Sequence, residues 1–373
     1  MRQKKILVGV SGGVDSSVSL ALLKDQGYAV SAVFLRFWDI KGRNNKSLQD
    51  AKSVCKILGI PLKVVDARAD FKKLVIKYFL VEYARGNTPN PCVFCNEKMK
   101  FKLLFSVAKK MKIELIATGH YTRLCREFPI SNFQFLNKRN LSTGKEEAKN
   151  EAKYNLMEAK DKNKDQSYFL YRLKQKDLAR IIFPLGNYEK SEVRRLAQKF
   201  HLPVFNKDDS QDVCFMAGVN LEGFLKKRIK LKKGKIVDED GNVLGEHKGL
   251  PLYTIGQRKG IEIGGTGPYF VIAKDGRKNK LVVTNKLNHP ALRKKAIQLI
   301  DVVWTSGVMP KLPLSIIART RYHNPLVRAM IKNSKTKKTC LLEFDTPQKA
   351  ISPGQSVVFY GKNEEVLGGG IIK

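Results

Sequence analysis

From Lys4 to Gly119 the chain alternates short apolar runs with helical patterns, and this alternation constrains the fold more than any other feature. "KKILVGV", "AVSAVFL", "LKVVD" and "IELIATG" read as buried strands. Between them lie a helical pattern with Val14, Val18 and Leu22 on one face, closed at Gly27, and another from about Ser47 to Leu58, closed at Gly59 with Pro61 beyond. Two more helical stretches flank "NTPNPCVFCNEK". Strands joined through helices form parallel sheets by right-handed crossovers, so the predicted fold class is α/β, a doubly wound parallel sheet. Ligands in such folds bind at the carboxyl ends of the strands, and the loop "SGGVDSS" falls at the end of the first one.

A turn of small residues between strand and helix points successive backbone N–H groups at an anion, reinforced by the helix N-terminus. Gly12 and Gly13 permit close approach; Ser11, Ser16 and Ser17 can add hydroxyl donors. No Gly-Lys-Ser/Thr follows, so this is not a Walker loop, and Gly-x-Gly-x-x-Gly is absent too. Asp15 beside the anion would repel phosphate unless Mg²⁺ lies between them. Its plainer reading is a helix cap, shared with Ser16.

Beyond the sheet the texture changes. Residues 126–163 are lysine-rich and poorly periodic, the pattern of a surface insertion, and helical periodicity returns in "SYFLYRL" and "KSEVRRLAQKF". Past Cys214, short β runs alternate with Asp-Gly and Gly-rich turns. The expected organisation is a catalytic domain at 1–218, a small β-rich domain at 219–290 and a C-terminal β-barrel at 291–373. A chain of 373 residues is long enough for two or three cores. No run approaches the ~18 apolar residues of a membrane span, and the N-terminus enters a strand directly, so a cytoplasmic protein with no membrane partner is expected. The net charge of +36, from 70 Lys+Arg against 34 Asp+Glu, points to a polyanionic partner, nucleic acid first.

Six cysteines scattered over this length make no disulfide framework. Cys55, Cys125 and Cys340 read as packing residues, whereas Cys92 and Cys95 form a Cys-x-x-Cys beside a helix start, where thiol pKa values fall. No second pair with zinc spacing exists, so no metal site is expected from the spacing. Cys92, Cys95 and Cys214 together leave an iron–sulfur cluster open as an alternative.

The string Ser11 to Ser17 resembles the PP-loop of the ATP-pyrophosphatases, which release pyrophosphate while adenylating a substrate oxygen. With "TPNPC", "ATGHY", "KDQSYFL", "SQDVCFM", "YTIGQRKG" and "PGQSVVFY" in order along the whole chain, the sequence resembles the MnmA family of tRNA 2-thiouridylases. That resemblance implies ATP-dependent adenylation of O2 of the wobble uridine and sulfur delivery to C2 from a persulfide. It implies Cys95 as nucleophile and Cys214 as its partner in a transient disulfide. It implies Gly9, Val10, Ser11, Gly12, Gly13, Val14, Asp15 and Ser16, with Leu35 and Gly119, around ATP and Mg²⁺. Asn90, Pro91, Cys92, His120, Lys164, Asp165, Gln166, Arg321, Tyr322 and Gln355 are implied tRNA contacts. The implied partners are the anticodon stem-loop of Lys, Glu and Gln acceptors, and a sulfur donor such as a cysteine desulfurase or a relay protein. Cys92 departs from the Asp common at that position. A ligase adenylating a small molecule would explain the loop but not the cysteines or the charge. For several of these residues a blander role is open: His120 in the core, Asp165 as a cap, and Arg319 with Arg321 on the solvent face of a strand.

Overall fold

The structure is a computed structural model that describes residues 3–39, 43–127, 153–209, 213–216, 218–261, 263–264, 268–334 and 339–373. The N-terminal unit is a parallel sheet built on β1 (Lys5–Val10), β2 (Ala29–Arg36), β3 (Leu62–Asp66) and β4 (Leu115–Thr118). A hairpin of β5 (Arg123–Glu127) and β6 (Lys153–Met157) precedes the short β7 (Ile181–Ile182). The order β3-β2-β1-β4-β7 reverses direction between β1 and β4, the point at which doubly wound sheets open a crevice.

Helix α1 (Val14–Asp25) follows β1 and buries Val14, Val18 and Leu22 as the periodicity predicts. Helix α2 (Arg43–Ile57) begins before the expected Ser47 and is followed by Gly59 at φ +60°. Residues 68–84 form one long helix with a π-helical stretch, Lys72–Ile76, inside it. Residues 91–110 form a second: α-helical Pro91–Cys95, a π-helical turn Asn96–Lys100, then α-helical Phe101–Lys110.

Two sequence expectations fail locally. "SYFLYRL" makes only a 3₁₀ turn at Ser167–Phe169, with Tyr168 and Tyr171 buried and both bonded to Ser356 of the C-terminal strands, so tertiary contacts override the helical pattern. The segment 126–163 is not wholly an irregular insertion: its flanks enter the β5–β6 hairpin, while 128–152 lies outside the described residues.

A central four-stranded sheet joins β8 (Gly234–Val237), β9 (Val243–His247), β10 (Phe270–Asp275) and β11 (Lys280–Thr284) in the order β10-β11-β8-β9. The last strands, β12 (Arg293–Trp304), β13 (Leu314–Arg319), β14 (Val327–Asn333), β15 (Thr339–Lys349), β16 (Ser356–Tyr360) and β17 (Val366–Ile372), close a six-stranded antiparallel barrel. The barrel is built into the catalytic unit. Val358, Tyr360 and Val366 share one core with Leu7, Phe101, Leu104 and Tyr168.

Candidate active site

The loop after β1 closes on itself. Ser16 Oγ accepts from Ser11 N at 3.2 Å, and the Ser16 and Ser17 hydroxyls donate to Gly13 O at 3.2 and 2.8 Å. Gly12 sits at φ +73°, and a Cβ there would lie 2.1 Å from Ser47 O, so only glycine fits. Gly119, after β4, would place a Cβ 2.8 Å from Ser16 N, so β4 ends hard against the start of α1.

Asp15 is held rather than isolated. Its Oδ1 accepts from Tyr121 Oη at 2.7 Å and from Lys190 Nζ at 2.6 Å. Lys190, only 11% exposed, also pairs with Asp209 at 2.8 Å, and Asp209 accepts from Lys164 at 2.7 Å and Arg194 at 2.9 Å. Lys207 Nζ donates to Gly12 O at 2.8 Å and pairs with Asp50. Burial raises the Asp209 carboxyl, but the Lys164 and Lys190 hydrogen bonds outweigh it and hold the group below its ordinary range. The loop therefore faces a set of cations drawn from residues 164–207.

The cysteines lie on the neighbouring helix. Asn90 caps it, its Oδ1 accepting from Val93 N at 3.2 Å, with Pro91 as the first helical residue. Cys92 is half-buried and Cys95 buried on the first turns. Cys214 arrives from a distant part of the chain because its neighbour Phe215 is an anchor. Phe215 is 1% exposed and packs edge-on against Phe71 and Phe79, with ring centroids 5.8 and 5.1 Å away. Phe215 and Cys95 belong to the same core cluster. Cys214 itself is exposed, although the surrounding protein still disfavours its thiolate. All three are free thiols within electrostatic reach of one another. Burial pushes Cys92 and Cys95 up to about 12 and raises Cys214. Among the described residues no three His, Cys, Asp or Glu side chains stand in metal-binding geometry, so the iron–sulfur alternative finds no ligand set there.

With a phosphate loop and a thiol cluster on adjoining elements, kinship with known proteins becomes informative. Family models match nearly the whole chain: one described as "tRNA methyl transferase HUP domain" over residues 4–218, "tRNA methyl transferase PRC-barrel domain" over 222–285, and "Aminomethyltransferase beta-barrel domain" over 294–372. The "tRNA-specific 2-thiouridylase MnmA" of Francisella tularensis subsp. holarctica (strain FTNF002-00 / FTA) is 39% identical over 384 residues, covering 100% of both chains. That of subsp. novicida (strain U112) is 39% identical over 382 residues with the same coverage. The chain belongs to the MnmA family. Among solved structures, the NMN synthetase of Francisella tularensis aligns at 17% identity over 61% of this chain and 79% of that one, with a TM-score of 0.34.

Several residues that the MnmA resemblance assigns to tRNA are used inside the protein. Asp165 is buried: its carboxylate accepts from Ala159 N at 2.9 Å and from Ser167 Oγ at 2.8 Å, and it pairs with Arg319 at 3.4 Å. Arg319 is accordingly an interior residue, paired also with buried Glu158 at 3.1 Å, not part of a solvent face. His120 is buried and engages Thr118 Oγ1 at 2.7 Å through Nδ1. The Gln166 amide bonds the Tyr121 backbone, and Gln355 Nε2 donates to Thr88 O at 2.7 Å. Lys164 remains partly exposed beside Asp209, and Leu35 is half-buried at the end of β2. Arg321 is exposed, and the Tyr322 ring packs tilted against Phe169 with centroids 4.4 Å apart.

Tyr121, Lys190, Lys207 and Asp209 are the residues that sequence reasoning missed in this MnmA-family site. Lys190 carried a faint signal: it opens the helix Lys190–Lys199, where the dipole disfavours a cation, so something must hold it there.

Proposed function

We propose that the chain is an ATP-dependent tRNA 2-thiouridylase acting on the wobble uridine, position 34. What supports this reading is that Cys95 shares a core cluster with Phe215, the neighbour of Cys214, on a helix whose Leu104 lies against Gly9 just before a PP-loop that has no Walker lysine.

The loop amides and the Ser11, Ser16 and Ser17 hydroxyls cradle the departing pyrophosphate. Lys190 and Lys207 supply the cations that a Walker lysine would otherwise bring, and neutralise charge as the α–β phosphate bond breaks. Asp15 spends Oδ1 on Tyr121 and Lys190, which leaves Oδ2 for Mg²⁺; when bound, that ion would screen the phosphates from the carboxylate.

The wobble base is already unstacked in an anticodon loop and enters between the PP-loop and the cysteine helix. Its O2 attacks the α-phosphorus, giving adenylated uridine and pyrophosphate. Cys95, carrying a terminal sulfur received from a donor protein as a persulfide, forms a bond from that sulfur to C2, and AMP leaves with the C2–O bond. The Cys214 thiolate then attacks the inner sulfur of Cys95. The S–S bond breaks toward the base, 2-thiouridine departs, and a Cys95–Cys214 disulfide remains for a dithiol to reduce. Lysines and arginines of the β domains hold the anticodon stem through phosphates, so binding weakens steeply with salt.

The test incubates the protein with unmodified tRNA, Mg²⁺, ATP and a persulfide source, then digests the tRNA for mass spectrometry. 2-Thiouridine is expected, and its loss in both Cys95→Ser and Cys214→Ser. Pyrophosphate release without a thiolated base would overturn the substrate assignment.

A further inference from the structure

The π-helical turn between the two halves of the cysteine helix has a consequence for the thiols. In a regular α-helix a residue five positions on points about 140° away from the first. Over Asn96–Lys100 the bonding runs to i−5 instead, with Phe101 N–H on Asn96 O. This extra residue per turn swings Lys100 back over Cys95. Asn96 is buried and secures the turn by donating Nδ2 to Phe169 O at 3.2 Å.

Lys100 is then fixed from the far side. Its Nζ lies 3.4 Å from His120 Nε2, and Thr118 Oγ1 lies 2.7 Å from His120 Nδ1. An ammonium can only donate, so Nε2 accepts, and the imidazole proton sits on Nδ1 and goes to Thr118. Burial, seconded by the Lys100 charge, drives the His120 pKa well below its ordinary value and keeps the ring neutral. Phe101 stacks on the ring with centroids 5.8 Å apart, and Phe183 meets it edge-on. Thr118, His120 and Lys100 thus form a line of hydrogen bonds that ends in a cation beside the thiols.

We propose that Lys100, aimed by the π-helical turn and anchored by His120, is the positioning residue that stabilises the ionised sulfur of Cys95 and Cys214 during sulfur transfer. The inference rests on the reading under Proposed function. Each thiol gives its proton to solvent, and the positive charge of Lys100 lowers the cost of a sulfur anion beside it. The direction of its influence agrees: at all three cysteines burial favours the thiol, and Lys100 opposes it. Among the described residues, the other titratable groups in reach are Cys92, His120 and Tyr322, whose hydroxyl senses Cys92. Glu97, on the same helix, is engaged by Lys98 and Arg172.

Alkylation of the full-length protein by iodoacetamide, resolved by peptide and followed between about pH 6 and pH 10, tests this without tRNA or ATP. Lys100→Met should slow Cys95 and Cys214 about tenfold near neutral pH, the effect of a one-unit rise in thiol pKa. Cys55 and Cys340 should react as before, and Lys100→Arg should restore the wild-type profile. His120→Leu, which frees the lysine, should slow the same two thiols, whereas His120→Gln, which keeps an acceptor, should slow them less. Unchanged Cys95 and Cys214 rates in both Lys100→Met and His120→Leu, or faster reaction of all cysteines together, would overturn the proposal. Because no substrate is present, failure of the 2-thiouridine assay would count against the functional reading and leave this result standing.

Discussion

Lys190→Met tests whether the PP-loop uses a borrowed lysine. The ammonium lies 2.6 Å from Asp15 and 2.8 Å from Asp209, and the side chain is only 11% exposed. A hydrogen bond between charged groups is worth about 1.5–3 kcal/mol where water is excluded. Asp209 keeps Lys164 and Arg194 after the substitution, so most of the loss falls on Asp15, which retains only the Tyr121 hydroxyl. Asp15 is itself 35% exposed, so solvent screening brings the local destabilisation to about 1 kcal/mol. The kinetic loss should be larger, because an unpaired carboxylate then faces the phosphates and a donor to the developing charge is missing, an effect of about 10²–10³ in kcat. Tm by calorimetry, and pyrophosphate release against ATP concentration, separate the two. Adding Asp15→Asn to Lys190→Met should recover much of the lost stability but not kcat, because the cation is still absent. Wild-type kcat and KM for ATP in Lys190→Met would refute the reasoning.

Gly12→Ala should abolish pyrophosphate release while leaving the β domains folded, since its Cβ would lie 2.1 Å from Ser47 O at a φ of +73°; ATP binding by calorimetry checks this. Phe215→Ala should cost about 3–5 kcal/mol of packing and detach Cys214 from Cys95. Mild oxidant followed by peptide mapping should then yield little Cys95–Cys214 disulfide. Asp209, with its folded pKa below the ordinary 3.8, stabilises the fold through Lys164, Lys190 and Arg194 above that value and loses the contribution as pH falls through the folded pKa. Asp209→Asn should therefore lower Tm at pH 7 and flatten its fall below about pH 4.

The sheet, its loop and the barrel were legible because period-2 and period-3.6 patterns and turn residues report local burial directly. What escaped was set by partners distant in sequence. "SYFLYRL" reads as helical, yet Tyr168 and Tyr171 reach into the barrel, where Tyr168 Oη donates to Ser356 O at 2.8 Å, and packing overrides the pattern. Arg319 alternates as a surface residue should, but Glu158 and Asp165 meet it from the catalytic unit. Lys190, Lys207 and Asp209 have no motif of their own; only the packing of their segment against α1 discloses their role. The π-helical turn is equally silent, since nothing in "CNEKMKF" distinguishes it from an ordinary helix.

These misread residues share a physical role that bears on how the protein works. Gln355 and Pro353 of the barrel both bond Thr88, through Thr88 O at 2.7 Å and Thr88 N at 2.8 Å, two residues before the Asn90 cap. Thr88 Oγ1 also meets Thr254 Oγ1 of the central unit at 3.3 Å, and half-buried Lys274 of β10 donates to Gly86 O. Farther along the helix, Arg172 joins Glu97 to Asp301 of the barrel, which it meets at 2.8 Å. The cysteine helix is therefore gripped by both β units, at the loop that starts it and again beyond Cys95. A displacement of either unit on docking a polyanion would reach the helix cap through hydrogen bonds already in place. The groups expected to touch tRNA directly are, at Gln355 and Asp165, ones that fasten the barrel to the N-terminal unit, through Thr88 O and Arg319.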